Sequence, residues 1–149
     1  MKTTLSLESI NIIKSTAELV TSNDTKITKR MYEILFSKYP HVKKIFANAP
    51  EDQYMRLAEI ISAYAVNIDK IERLKPALQV IAKIHVSSEI KSGHYPMIGM
   101  VLMQAMEETL GERASVAFMD AWREAYQVIS KILIEMEKGL YQSREGVLV

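Results

Sequence analysis

The stretch "IAKIHVSSEIKSGHYPMIG", residues 81–99, holds two of the chain's three histidines, and one of them is spaced for chemistry. His85 lies seven residues after Leu78 and four after Ile81, so it shares the inward stripe of its helix. Burying an imidazole costs free energy unless something there uses it. One use is structural, a core histidine bonded to a carbonyl; the other is metal ligation. Tyr95 opens the next helix across a short loop, and Glu137 lies eleven residues after Tyr126 on the inner face of the last helix. A carboxylate bonded to an imidazole fixes its tautomer and strengthens it as a donor, which is how a metal-bound histidine is supported from behind.

The inventory of other ligands narrows the metal. The chain has no Cys and no HExxH motif, His41 stands at a helix start and His94 in a loop. A single histidine is too few for zinc, so a metal held here brings its remaining ligands with it, as iron does in haem. On other segments, Tyr32 follows Met31 on an apolar helix face and Gln53 stands four residues before Leu57 on the next. Taken singly they read as a core aromatic with its hydroxyl at solvent and a polar residue of an exposed first turn. Together they offer a hydroxyl and an amide to an apolar pocket walled by Phe46 and Leu57, which suits a polarised diatomic ligand.

Helices must position all of these residues. Gly and Pro are few, at 5 and 4, and each proline stands where a helix should begin. Ser6 is expected to cap a first helix carrying Ile10, Ile13 and Leu19, which runs to "TSND", where Asn23 or Asp24 caps the second. Ile27, Met31, Ile34 and Leu35 make one buried stripe there, ended by "KYPHV" because the residue before Pro40 is pushed out of the helical region. A short turn "HVKKIF" follows, then a start at Pro50 for a helix marked by Leu57, Ile60, Ile61, Tyr64 and Ile68. Pro76 opens the helix of Leu78, Ile81 and His85, and Pro96 the one that runs to Gly111. The last spans about Arg113 to Tyr141, with Trp122, Tyr126, Ile129, Leu133 and Met136 in step. The tail, residues 142–149, is expected to be loose. Six or seven unequal helices in an all-α chain argue for crossed packing, which often encloses a ligand, over a matched four-helix bundle.

Composition removes several function classes. At 149 residues and 48% hydrophobic the chain suits a single domain with one real core. Lys plus Arg total 19 against 18 Asp plus Glu, giving no electrostatic reason to expect nucleic acid or anionic lipid as a partner. Lys26, Lys29, Arg30, Lys43 and Lys44 are most simply a solvated face, on which a redox partner could dock. The apolar run "PMIGMVLMQAM" is too short to span a bilayer, and no leader pattern precedes Glu8 and Asn11, so a cytoplasmic location is expected.

Several segments in order, "INIIKST", "KRMYEILFSKYPHVKKIF", "HYPMIG" and "DAWREAYQVISKILIEMEKGLY", resemble the single-domain bacterial haemoglobins related to the globin domain of flavohaemoglobins. The look is closest to the thermoglobin-like members, and the resemblance covers Leu7 to Tyr141. It implies a globin fold, a 3-on-3 helical sandwich with a short loop between helices C and E, holding haem b. His85 would be the iron ligand, with Tyr95 and Glu137 its hydrogen-bond partners. Tyr32, Gln53 and Leu57 would form the distal pocket, Phe46 would pack on the porphyrin, and Tyr126 would approach a propionate. Met100 and Met103 read as pliable core filler. The chain departs from the pattern at Ile84, where a Lys usually precedes the histidine, and at Tyr54, where a Pro usually follows the glutamine.

Three functions are compatible with these residues. The first is reversible, high-affinity binding of O₂, with NO and CO as further ligands, in O₂ handling or NO detoxification. The second is nitric oxide dioxygenase activity, which in the absence of a reductase domain would need an external flavin reductase. The third is a cofactor-free helical interaction module in which His85 and Glu137 satisfy one another. A monomer or weak homodimer is expected in each case.

Overall fold

A computed structural model describes residues 4–47 and 52–148, with side chains to 144. Among the described residues the chain is helical and contains no strand. Its order is α1 (Leu7–Ser15), α2 (Ala17–Thr21), α3 (Asp24–Lys38), a 3-10 turn (Pro40–Phe46), α4 (Gln53–Val66), a 3-10 turn (Ile71–Leu74), α5 (Lys75–Ser87), α6 (His94–Leu110), a 3-10 turn (Gly111–Arg113) and α7 (Val116–Leu148). No described helix is long and apolar enough to cross a membrane.

Local chemistry accounts for most boundaries. The Ser6 side chain accepts from the Ser9 backbone N–H at 3.2 Å, capping α1 as expected. The expected first helix does not run unbroken to "TSND": it breaks at Thr16, whose hydroxyl donates to the Ile12 carbonyl at 2.6 Å in competition with the helical ladder. Tyr39, held extended by Pro40, ends α3. Pro76 sits in the first turn of α5, where its missing N–H has no partner to lose. The start expected at Pro50 lies outside the described residues, and α4 is first seen at Gln53. The sixth helix begins at His94, two residues before Pro96, so His94 is a first-turn residue and not part of a loop. Gly111 ends it with φ +59°, a left-handed conformation that an L side chain resists. The last helix starts at Val116 in place of Arg113 and continues to Leu148, so the tail expected to be loose is helical over its described length. Part of the reason is local: Tyr141 donates to the Ile90 carbonyl at 2.7 Å and Arg144 pairs with Glu89 at 2.9 Å.

The helices cross in layers. α3 packs on α4 and α6, while α7 packs on α1, α5 and α6. The buried side chains form two clusters. The larger gathers α1 to α4, most of α6 and the first half of α7 around Phe118, Trp122, Leu35 and Met106. The smaller joins α5, the start of α6 and the second half of α7 through Leu78, Ala82, Ile90, Tyr95 and Leu133. Each large apolar side chain buried in this way is worth about 1.5 to 3 kcal/mol. Polar pins hold the layers in register. Tyr64 donates to the Ala125 carbonyl at 2.7 Å, and Glu124 accepts from the Ser6 and Ser9 hydroxyls, tying the start of α1 to α7.

Candidate functional site

His85 is presented by α5, which buries Leu78, Ala82 and Val86 and leaves Ile81 and His85 half-buried on the adjoining strip. α7 delivers Glu137, and the start of α6 delivers Tyr95. The three converge on one nitrogen. His85 Nδ1 lies 2.9 Å from Glu137 Oε2 and 3.0 Å from the Tyr95 hydroxyl, which itself donates to Glu137 Oε2 at 2.7 Å. Because the carboxylate can only accept, Nδ1 carries the proton, and the Tyr95 oxygen serves it as a second acceptor. Glu137 is 3% exposed, so its two donors replace the water it has lost. The other ring nitrogen, Nε2, has no hydrogen-bond partner among the described residues. Burial, then the adjacent carboxylate, pushes the Tyr95 phenol far above its ordinary value.

The neighbouring tyrosine supports this group from outside. Tyr126, expected near a propionate, donates its hydroxyl to the Tyr95 carbonyl at 2.7 Å. Its ring lies so close to Gly99 that a Cβ there would stand 2.5 Å from Tyr126 Cε2, so the close approach requires glycine.

The expected distal residues gather at the edge of the larger cluster. Tyr32, Phe36 and Phe46 form a triangle of rings with centroids 5.5 to 5.7 Å apart. Gln53 and Leu57, one turn apart at the start of α4, are half-buried. Burial pushes the Tyr32 phenol up to about 12, and a hydrogen bond with the Gln53 side chain partly opposes the rise. Two residues that sequence reasoning did not single out also shape the site. Thr28, fully buried, donates to the Tyr54 carbonyl at 2.6 Å, and Phe36 closes the ring triangle. Phe36 lies four residues after Tyr32, a signal the sequence did contain.

Four buried or half-buried tyrosines, Tyr32, Tyr64, Tyr95 and Tyr126, have phenols shifted upward, chiefly by burial. Each binds its proton more tightly folded than unfolded, so the stabilisation is complete below the unfolded value near 10 and lost as pH rises through the folded value. The urea midpoint is therefore expected to hold steady up to about pH 10 and to fall steeply between roughly pH 10 and 12. Chemical denaturation across that interval, followed by circular dichroism, checks it.

The donor set fits a cofactor-borne metal. No group of three or more His, Asp or Glu side chains able to hold a metal ion occurs among the described residues. Among the described residues, His85 Nε2 stands without a hydrogen-bond partner beside a core divided into two apolar clusters, which suits a flat apolar group carrying its own ligands.

Comparison with known proteins identifies the family. An uncharacterised globin-like protein of Aquifex aeolicus is 48% identical over 92% of this chain and 97% of its own length. A flavohemoprotein of Halalkalibacterium halodurans is 38% identical over 93% of this chain, which spans only about a third, 34%, of that protein. The solved structure of a bacterial globin from Campylobacter jejuni superposes with a TM-score of 0.83 at 33% identity, covering 92% of this chain and 99% of that one. Residues 29–133, most of the chain, match the globin family, and the chain belongs to it.

Proposed function

We propose that this globin holds haem b through His85 Nε2 and binds O₂ reversibly, with hydrogen bonds from Tyr32 and Gln53. The observation that supports the reading best is the asymmetry of His85: Nδ1 is held by Glu137 and Tyr95 within 3.0 Å, while Nε2 has no hydrogen-bond partner among the described residues. Haem, when bound, supplies an iron centre that takes O₂, NO or CO. The protein supplies everything that discriminates among them. Glu137 and Tyr95 fix the imidazole tautomer and ring orientation, and Tyr126 steadies Tyr95 through its carbonyl. Tyr32 keeps its proton at any physiological pH, since its phenol is pushed up to about 12, and is therefore a hydrogen-bond donor in the pocket. Phe36 and Phe46 pack their rings on Tyr32, and Leu57 packs against the same apolar cluster.

A donor bond of this kind is worth ~1 to 2 kcal/mol, so Tyr32→Phe is expected to speed O₂ release roughly ten-fold. Stopped-flow displacement of O₂ by CO measures it. An unchanged rate would remove Tyr32 from ligand binding.

The likeness to flavohemoproteins supports a second reading, nitric oxide dioxygenase, in which NO and O₂ combine to nitrate with one electron supplied per turnover. That electron would come from a separate flavin reductase, with the exposed lysines Lys43 and Lys44 available to dock it. Sustained NO consumption in the presence of a reductase and reduced nicotinamide would establish the enzyme, whereas a single turnover only would leave the carrier.

A further inference from the structure

We infer that Thr28 is a positioning residue of the distal pocket: by donating its hydroxyl to the Tyr54 carbonyl it sets where Gln53 stands beside Tyr32. The inference rests on the proposed haem site, for which it supplies a control that the side chains of the pocket do not show by themselves.

Among the described residues, few other polar contacts hold the start of α4. Its N-cap, Asp52, makes no side-chain capping bond, and the Asp52 contact with Arg56 is a 3.9 Å surface pair within the helix. Lys29 over the Tyr54 ring, 6.0 Å from its centroid, is an exposed and weak contact. Thr28 is different in kind. It is 0% exposed, and its hydroxyl reaches Tyr54 O at 2.6 Å while standing 3.4 Å from the Thr25 carbonyl of its own helix. A threonine hydroxyl normally turns back to its own helix, so the shorter bond across to α4 marks the two helices as joined at that point. Tyr32 lies one turn further along α3, and Gln53 directly precedes the residue whose carbonyl is held. The bond therefore ties together the two segments that bear the two donors. Asp24 accepts from Ser62 at 2.6 Å further along the same helix pair, so α3 and α4 are fixed at two points and cannot pivot freely. Thr28 is the nearer of the two to Gln53.

Thr28→Val keeps the shape and removes the donor, and Thr28→Ser keeps the donor. The measurements are the C–O stretching frequency of the CO form, the O₂ release rate, and, in the protein without added haem, magnetisation transfer between the Gln53 side-chain amide and the Tyr32 ring. Thr28→Val is expected to move the C–O stretch toward that of Gln53→Leu, speed O₂ release roughly five-fold and weaken the amide-to-ring contact. Thr28→Ser is expected to restore all three, and Thr28→Val added to Gln53→Leu to change nothing further, because the effect travels through Gln53. Native values in Thr28→Val, or an effect that adds fully to Gln53→Leu, would overturn the assignment. If the native chain took no haem, the haem reading would fall. The amide-to-ring contact would still decide the role of Thr28, lost in valine and kept in serine if it positions Gln53, unaltered in both if it does not.

Discussion

His85→Ala is expected to abolish stoichiometric haem uptake. Incubated with haem, reduced and exposed to CO, the native chain should give a sharp Soret band, and the variant should lose or displace it. No other imidazole stands ready to replace His85: His94 accepts the Lys91 backbone N–H at its Nδ1, and His41 is exposed beside the ring of Tyr39. A stability readout follows from the same binding. A ligand present at a thousand times its dissociation constant stabilises the folded state by about 4 kcal/mol, which for a chain of this size is roughly 10 °C in Tm. Haem should raise the native Tm by about that amount and leave His85→Ala nearly unmoved. If the native chain also fails to respond, His85, Tyr95 and Glu137 become a structural network in a helical interaction protein, and their arrangement needs no iron.

Much of this site could be read before any coordinates. A lone histidine on an apolar stripe, a tyrosine ten residues on and a glutamate at helical spacing from Tyr126 are local patterns, and all three side chains meet within 3.0 Å. Helix starts at Ser6 and near Pro76 rest on residue chemistry that acts within one turn, and so were legible too. What escaped the pattern depends on contacts between distant segments. Thr28 reads as a neutral residue in a stripe of isoleucine and methionine, because nothing in its neighbours reveals that a carbonyl 26 residues away accepts its hydrogen bond. Tyr126 matches the spacing of a core aromatic, yet the destination of its hydroxyl, the Tyr95 carbonyl, follows from how α7 crosses α6 at Gly99. The helix past Tyr141 was hidden for the same reason: its hydrophobic period fades, and its described anchors are a carbonyl and a carboxylate in the loop after His85.

Glu137→Leu is expected to give the largest loss of stability of any single change at the site. The carboxylate is 3% exposed and accepts two hydrogen bonds, one from His85 Nδ1 and one from the Tyr95 hydroxyl. A leucine fills the volume and accepts neither, so the Tyr95 hydroxyl would lose its acceptor and His85 Nδ1 would keep only the Tyr95 oxygen, at ~1 to 3 kcal/mol for each bond lost, about 2 to 6 kcal/mol in all. Glu137→Gln separates the two contributions. Its carbonyl oxygen can still accept one or both bonds while the charge is gone, so the loss should shrink to ~1 to 2 kcal/mol. Urea denaturation of the haem-free chains measures both. In the haem-loaded form the iron–histidine stretching frequency should fall in Glu137→Gln, because a neutral acceptor pulls less on the Nδ1 proton and leaves the imidazole a weaker donor. A variant that lost stability with that frequency unchanged would make Glu137 a support of the fold alone. A frequency lowered at nearly native stability would show that the carboxylate's charge, reaching through one imidazole ring, is what tunes the site.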